Sequence, residues 1–397
     1  ITRGTVDGTY DSQSGINFIK IINKKVYVGT SVNYQPNIHV AEVEKDIFEV
    51  LSQDLPTDNF PLSIKYDEYN NIYFTYIKGV KFDGKAGGVF KYNILTKKVT
   101  DVSPIQKAIG ITIDKKDPDR LIARTCASWL SQQWEEEKTD ESVAYGDHFY
   151  RSLDGGMSWI NITPGQKDNN KEFISLPLKE NGYNWIKYKS IHWGPGLEFD
   201  PRNPDRIITA SGNGLFACDN IWDEKNIQFY FDPKGIEETV PIDMISVKDG
   251  YLYSTIRDFD GFIHESIKDL GKQYIPNMGN TGPIAYCKEN PKLMFRIHLN
   301  NDLGYYSEDS GITWKKMDNV GGVGGGRGAI TEIGDDKYRF LHAIENAIMY
   351  SDNYGKTWYD SKGVTGENFG IFVEESDPMI VYSYSYDVFS DPNSKGK

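Results

Sequence analysis

The feature that most constrains the fold of this chain is an eight-residue motif, Ser-x-Asp-x-Gly-x-Thr-Trp, which occurs three times. The copies span 152–159, 307–314 and 351–358; the first has Ser in place of Thr, and the third has Asn in place of Asp. The last two copies begin 44 residues apart, a spacing typical of one four-stranded propeller blade. The Asp accepts backbone hydrogen bonds in a tight turn, and the Gly permits a positive φ. The motif therefore predicts β-hairpins and says nothing about chemistry.

Short strands separated by Gly, Asn, Asp and Pro turns fill most of the chain, and long helical periodicity is absent. We predict an all-β fold, a β-propeller with Asp-box repeats of the BNR or sialidase-like type and about seven to eight four-stranded blades. The long segments 130–147 and 168–189 are expected to be exposed loops, where propellers build their sites. The strand groups are predicted at 17–54, 61–104, 107–165, 193–233, 241–274, 281–319 and 326–363, with a partial group from 368.

Composition excludes several classes of partner. A formal net charge of −13 over 397 residues argues against nucleic acid, whose phosphates need clustered Lys and Arg, but would not repel a neutral polysaccharide. Aromatic residues make up 13% of the chain, which suits β-structure and sugar stacking. No apolar run is long enough to cross a membrane, and Cys126, Cys218 and Cys287 form no motif. We expect no metal, no other cofactor and no membrane insertion.

Two stretches carry a more specific signal. Residues 235–246 read Gly-Ile-Glu-Glu-Thr-Val-Pro-Ile-Asp-Met-Ile-Ser, and residues 254–264 read Ser-Thr-Ile-Arg-Asp-Phe-Asp-Gly-Phe-Ile-His. Together they resemble glycoside hydrolase family 74, the xyloglucanases and oligoxyloglucan-releasing enzymes, in which a Gly-Ile/Leu-Glu-Glu-Thr segment leads into a Gly-Asp-x-x-Gly-Phe-x-His turn. Segments within 87–104 and 198–223 resemble the same family in the same order. The resemblance covers most of residues 60–360.

The resemblance implies two seven-bladed propellers with a sugar cleft between them. It also implies that xylose-decorated β-1,4-glucan is cleaved with inversion by two Asp residues. The Asp of the second-propeller turn corresponds to Asp258. The other Asp belongs to an Arg-Thr-Asp-Ile-Gly-Gly type of turn early in the first propeller, for which Asp7 is a partial match. The chain departs from the family pattern at Arg257, where the family has Gly, and at Asp260.

The order of the matching segments also implies a domain arrangement. Residues 1–235 are expected to form later blades of a first propeller, and residues 236–397 early blades of a second, so the chain would be part of a longer enzyme. A single propeller over 1–397 is the alternative. The expected partner is a plant cell-wall polysaccharide or oligosaccharide. We therefore expect an extracellular, secreted protein whose signal peptide is removed or lies outside this sequence.

Asp258 is the predicted general acid. An inverting pair needs one carboxylic acid to protonate the leaving oxygen and a second carboxylate to activate water, with the two carboxyl groups about 6.5–9.5 Å apart. Apolar cover and a nearby like charge help an acid to keep its proton, and Phe259 and Asp260 follow Asp258 directly. Asp260, in the same turn, is the fallback acid. Asp7 is a candidate base, with turn capping as the alternative role.

Exposed aromatic side chains on loops are the predicted sugar-binding groups, because their faces stack on the C–H faces of sugars. Core packing is the alternative role for each tryptophan. His264, which follows the acid turn, is predicted to line the cleft. The candidates are Trp129, Trp134, Trp185, Trp193 and His264.

Two other classes of protein remain open at this point. A non-catalytic propeller that binds glycan or protein would need no second carboxylate. An exo-sialidase is suggested by Phe-Arg-Ile-His at 295–298, which resembles the sialidase Phe-Arg-Ile-Pro motif but lacks its Pro and follows an Asp box. The Gly-rich segment 321–328 lacks the Gly-Lys-Ser/Thr ending of a phosphate loop and is interpreted as an inter-blade loop.

Overall fold

The structure is a computed structural model. It describes residues 15–32, 34–45, 47–78, 87–104, 108–133, 143–163, 182–186, 189–224, 227–236, 239–268, 270–323, 326–344, 347–361, 369–374, 376–377 and 379–385.

The chain divides into two compact units, Ile1–Glu238 and Thr239–Lys397. The division lies close to the one predicted between residues 235 and 236. Each unit is described below by itself.

The first unit contains β-strands and, among its described residues, one short 3₁₀ helix (Asn184–Ile186). The strands are β1 (Ile16–Ile22), β2 (Lys25–Thr30), β3 (Ile38–Glu42), β4 (Glu49–Val50), β5 (Phe60–Tyr66), β6 (Asn71–Ile77), β7 (Gly87–Asn93), β8 (Val99–Asp101), β9 (Ala108–Ile113), β10 (Leu121–Thr125), β11 (Leu130–Gln133), β12 (Val143–Gly146), β13 (Phe149–Ser152), β14 (Ile160–Asn161), β15 (Leu197–Asp200), β16 (Asn203–Ser211), β17 (Gly214–Cys218) and β18 (Phe229–Phe231).

The second unit continues the same pattern of short strands. They are β19 (Val240–Ser246), β20 (Leu252–Arg257), β21 (Asp260–His264), β22 (Lys272–Gln273), β23 (Thr281–Tyr286), β24 (Met294–His298), β25 (Gly304–Ser307), β26 (Lys315–Lys316), β27 (Gly328–Glu332), β28 (Tyr338–Ile344), β29 (Ala347–Ser351), β30 (Tyr359–Asp360), β31 (Phe369–Val373) and β32 (Val381–Ser385).

Consecutive strands pair antiparallel into seven four-stranded sheets in the described part of the chain, followed by the two-stranded pair β31–β32. Each four-stranded sheet is a meander, as in a propeller blade. The predicted strand groups and the β-propeller fold class are confirmed. The third sheet carries an insertion, because β11 and β12 form a separate hairpin between its second and third strands. The predicted loop 130–147 is thus partly a hairpin, whereas most of 168–189 lies outside the described residues.

Neighbouring sheets pack face to face through apolar side chains. In the first unit, Ile22 and Tyr27 of the first sheet pack with Ile72 and Phe74 of the second. In the second unit, Tyr253 packs in a cluster that includes residues of the following sheet. Full burial of a side chain such as Phe74 contributes about 1.5–3 kcal/mol to folding. The cores therefore lie between the sheets and leave the turns at the sheet ends free to vary.

The three Ser-x-Asp/Asn-x-Gly hairpins join the third and fourth strands of their sheets. In the first of them, the backbone N–H and hydroxyl of Ser158 donate to Asp154 at 2.8 and 2.5 Å, and they lower the pKa of Asp154 to about 2. Gly156 has a φ of 89°. The indole of Trp159 donates to the carbonyl of Val102 in the neighbouring sheet at 3.0 Å. The hairpin is a structural device that fixes one blade to the next.

In each four-stranded sheet, the turn between the second and third strands lies at the same end as the last residue of the fourth strand. The chain leaves for the next sheet from this end. We call this the upper end of a sheet. The Ser-x-Asp/Asn-x-Gly hairpins lie at the opposite, lower end.

Candidate active site

Asp258 lies at the upper end of the first sheet of the second unit, on the turn between β20 and β21. Ile256 pairs with Asp260, so Arg257, Asp258 and Phe259 form a three-residue loop. Asp258 and Asp260 have φ values of 73° and 68°, a region that costs an L-residue about 1–2 kcal/mol. Phe259 is buried, whereas Arg257 and Asp258 are exposed. The turn therefore presents the Asp258 carboxylate to solvent, where a ligand could reach it.

The hairpin leaves no space for a side chain at Gly261. A Cβ there would meet the carbonyl of Ser254 and the ring of Tyr274. The Tyr274 hydroxyl also donates to that carbonyl at 3.0 Å. This close approach explains why Gly follows Asp260 at the start of β21.

Two side chains anchor the turn, one from β22 and one from the segment between β22 and β23. The side-chain oxygen of Asn280 accepts the backbone N–H of Asp258 at 2.8 Å. The carbonyl of Phe259 accepts the side-chain N–H of Gln273 at 2.8 Å. Asn280 is itself fixed, because its carbonyl accepts the N–H of Leu299 at 2.9 Å. The strained turn is thus bonded at two successive residues to side chains outside its own hairpin.

Asp260 was the fallback acid, and the structure corrects that expectation. Its side chain is fully buried and forms an ion pair with Arg296. The carboxylate also accepts the hydroxyl of Thr281 at 2.5 Å and the N–H of Met278 at 2.9 Å. A carboxylate enclosed in this way cannot meet a glycosidic oxygen. Asp260 supports the turn from the protein interior.

Arg296 belongs to the Phe-Arg-Ile-His segment that suggested a sialidase. Its guanidinium lies 4.6–5.0 Å from the ring centroids of Tyr274, Tyr305 and Trp314, and it donates to the carbonyl of Pro276 at 2.7 Å. Burial lowers the pKa of Arg296. Since this side chain is fully buried and paired, it cannot bind the carboxylate of a sialic acid. The segment therefore gives no support to an exo-sialidase.

His264 was predicted to line the cleft, and the structure places it at the opposite end of the sheet from Asp258. His264 pairs with Leu252 at the lower end of the hairpin. It lies four strand residues beyond Asp260, which is about 13 Å along β21. Its ring is within hydrogen-bonding distance of the Ser254 hydroxyl at 3.0 Å, and burial lowers its pKa.

A second cluster of interest lies in the first unit. Trp129 follows β10 and Trp193 precedes β15, so both lie at the upper ends of their sheets. Their side chains are 53% and 61% exposed. The Trp129 ring stacks on His192 with centroids 5.1 Å apart and an interplanar angle of 30°. We call Trp129, His192 and Trp193 the aromatic platform. Such exposed indole faces are suited to sugar stacking.

A buried polar network holds the platform. Arg124 and Asp147 form a fully buried ion pair at 2.9 Å, and Asp147 accepts the N–H of Ser128, the residue before Trp129, at 3.1 Å. The Gln132 amide bonds both backbone groups of Ile191, at 2.9 and 3.1 Å. These contacts fix the two segments that carry the platform, and the satisfied pairing compensates for burying the charges.

The other predicted site residues divide into two groups. Trp185 is 8% exposed and packs edge-on against Tyr183 and Phe231. Its face is therefore occupied by the core, which corrects the expectation that it stacks on sugar. Trp134 and Asp7 lie outside the described residues.

The residues that sequence reasoning missed are those that support the site. Asn280, Arg124 and Asp147 were not singled out, and Arg296 was considered only as part of a sialidase-like segment. The one available signal was a charged residue inside an apolar strand, as in Phe-Arg-Ile at 295–297, which requires a buried partner.

Two features are absent from the described residues. No described helix is long and apolar enough to cross a membrane. Within the same ranges, no three His, Cys, Asp or Glu side chains are grouped as metal ligands would be.

The sheets and their hairpins define a β-propeller protein, and comparisons with known proteins place it more closely. The chain is 25% identical to a xyloglucanase from Paenibacillus sp. over 90% of its own length and 36% of that enzyme's. It is 26% identical to the xyloglucanase Xgh74A of Acetivibrio thermocellus over 70% of the chain and 35% of the enzyme. No family model matches the chain.

Solved structures agree with the sequence comparison. The glycoside hydrolase family 74 enzyme from Niastella koreensis superposes with a TM-score of 0.71 at 25% identity, covering 90% of this chain and 51% of that one. The family 74 xyloglucanase from Xanthomonas campestris gives a TM-score of 0.68 at 23% identity, over 88% and 50% of the two chains. The resemblance to glycoside hydrolase family 74 is confirmed in sequence and in fold. The chain spans about a third of the length of the curated relatives and about half of the solved ones.

Proposed function

We propose that this chain is part of a glycoside hydrolase that cleaves xyloglucan or a related β-1,4-glucan with inversion, and that Asp258 is its general acid. The relationship to xyloglucanases supports the substrate class. The exposed carboxylate of Asp258, held on an anchored turn, is the observation that carries the assignment.

The proposed chemistry follows from the position of this carboxyl group. Protonated Asp258 donates its proton to the glycosidic oxygen as the bond to the anomeric carbon breaks. A second carboxylate removes a proton from water, which attacks the opposite face of the sugar. Asp7 remains the predicted base within this sequence, although its structure is not described. A base supplied by a segment beyond this sequence is equally consistent with the proposal.

The aromatic platform is proposed to bind the glucan in the first unit. A β-1,4-glucan presents C–H faces along its backbone, and the exposed faces of Trp129 and Trp193 are complementary to them. No charge is needed for this contact. The proposed substrate is a plant cell-wall polymer, so we also propose that the protein acts outside the cell, which detection in culture supernatant would test.

The proposal is tested by reducing-sugar release from tamarind xyloglucan, with carboxymethyl cellulose as the comparison polymer. We expect release from xyloglucan above that from carboxymethyl cellulose, with products of inverted anomeric configuration in early proton NMR spectra. Because the relatives are longer, the assay uses both this chain and the chain with any adjoining coding sequence. No release from either polymer by either protein would contradict the proposal.

A non-catalytic glycan-binding propeller is the second candidate. The aromatic platform favours it, because stacking on a glucan requires no second carboxylate. Binding to xyloglucan in affinity electrophoresis without hydrolysis would support this candidate over the enzyme.

A further inference from the structure

The Asp258 turn has a strained backbone and is bonded to residues outside its own hairpin. Two non-glycine residues, Asp258 and Asp260, have positive φ. Non-glycine residues keep a positive φ only where several surrounding contacts hold the backbone in that conformation. The surroundings here are the segment 273–281 and the strand that follows it. They contact the turn through the side chains of Gln273 and Asn280 and through the backbone carbonyl of Gly279, which accepts the N–H of Asp260.

Asn280 contacts the residue proposed as the general acid. Its side-chain oxygen accepts the N–H of Asp258 itself, at 2.8 Å, and thereby sets where the Cα–Cβ bond of that residue points. Asn280 is half-buried, and its carbonyl is bonded to Leu299 at 2.9 Å. The loop after Leu299 is also fixed, because Nδ1 of His298 accepts the N–H groups of Asn300 and Asn301 at 2.9 and 3.0 Å.

We propose that Asn280 is a positioning residue for hydrolysis, which holds the Asp258 carboxyl in the orientation that proton transfer requires. This inference rests on the proposed function of Asp258. A general acid must lie within hydrogen-bonding reach of the leaving oxygen, and small displacements of a catalytic group lower rates steeply. Without its acceptor, the Asp258 N–H turns to water and the turn gains freedom at its tip.

Three variants of the chain test the proposal. Asn280→Leu keeps the size of the side chain and removes the acceptor, whereas Asn280→Asp keeps an acceptor oxygen at the same position. Asn319→Leu is the matched control, because Asn319 is also half-buried, precedes a first strand (β27) and accepts a backbone N–H, that of Gly321, at 3.1 Å. Asn319 does not contact the Asp258 turn in the described structure.

Two readouts are needed. For xyloglucan hydrolysis, we expect Asn280→Leu to lower kcat by roughly 10- to 100-fold with KM changed by less than about twofold. Asn280→Asp should recover most of that loss, and Asn319→Leu should leave kcat unchanged. By NMR hydrogen exchange, the Asp258 amide should be protected in the wild-type chain and in Asn280→Asp, and should exchange at least about tenfold faster in Asn280→Leu.

The outcomes separate this inference from the proposed function. Wild-type kcat in Asn280→Leu, an equal loss in Asn319→Leu, or an unprotected Asp258 amide in the wild-type chain would each overturn the role of Asn280. A wild-type protein that hydrolyses no glucan would overturn the proposed function and with it the catalytic role of Asn280. The exchange data would then show whether Asn280 still fixes the turn.

Discussion

The guanidinium of Arg296 donates to the carboxylate of Asp260 in the interior of the second unit, and both side chains are fully buried. Arg296 lies on β24, and Asp260 is the first residue of β21. The ion pair therefore joins two neighbouring sheets. Asp260 follows the exposed residue Asp258 by two positions in the chain. The hairpin of β20 and β21 therefore carries both a buried ion pair and the exposed carboxylate proposed as the acid.

Breaking this pair should destabilise the second unit strongly. Arg296→Met leaves the Asp260 charge buried without its partner, and we expect a loss of about 3–5 kcal/mol in the free energy of unfolding, measured by urea denaturation. Arg339→Met is the matched control, since Arg339 forms a bidentate but partly exposed pair with Asp352 at 2.7 and 2.8 Å. That variant should lose no more than about 1 kcal/mol. Equal losses in the two variants would show that the buried pair has no special role.

The aromatic platform is expected to contribute to glucan binding but not to the stability of the folded chain. Trp129→Ala removes an exposed stacking face, so we expect roughly tenfold weaker binding of xyloglucan oligosaccharides by calorimetry. The midpoint of urea unfolding should change little. Trp222→Ala is the control, because Trp222 lies at the lower end of its sheet and donates to the carbonyl of Pro204 at 2.9 Å. Binding that is weakened equally by both changes would argue against the platform.

His342 predicts a pH dependence of stability. It is fully buried beside Trp358, and burial lowers its pKa from 6.5 to about 4. In the unfolded chain this histidine gains its proton at about pH 6.5, whereas the folded chain resists protonation. Its contribution to stability is thus present above about pH 6.5 and is lost as the pH falls towards 4, by about 3 kcal/mol in total.

The measurement is the unfolding free energy between pH 7 and pH 4 in the wild-type chain and in His342→Gln. The variant should lose less stability than the wild type over this interval. An unchanged slope in His342→Gln would refute the assignment.

The fold was largely predictable from sequence because its signals are local. The Ser-x-Asp-x-Gly hairpin at 152–159 depends on contacts within a few residues, so its sequence specifies its structure. The strand groups follow from short-range alternation and turns for the same reason. The Asp258 turn could be located through the resemblance to a family, since its residues are adjacent in the chain.

The site could be predicted only in part because its supports are distant in sequence. Asn280 lies 22 residues beyond Asp258, and no local pattern marks an acceptor for a turn amide. Asp260 and His264 both follow Asp258 closely, yet one points into the interior and the other lies at the far end of a strand. Trp185 and Trp193 were both predicted on loops, and the packing of Tyr183 and Phe231 against Trp185 distinguishes the buried tryptophan from the exposed one.

The most direct test of the account is the rate of xyloglucan hydrolysis by Asp258→Asn, which keeps the shape of the side chain and removes its ionisable proton. Asp249→Asn is the matched control, because Asp249 is also exposed on a turn of the same sheet with positive φ, 56°, but lies at the lower end. We expect kcat to fall roughly 100- to 10,000-fold in Asp258→Asn, with unfolding unchanged, and to stay at the wild-type value in Asp249→Asn. A wild-type rate in Asp258→Asn would contradict the assignment of Asp258 as the general acid.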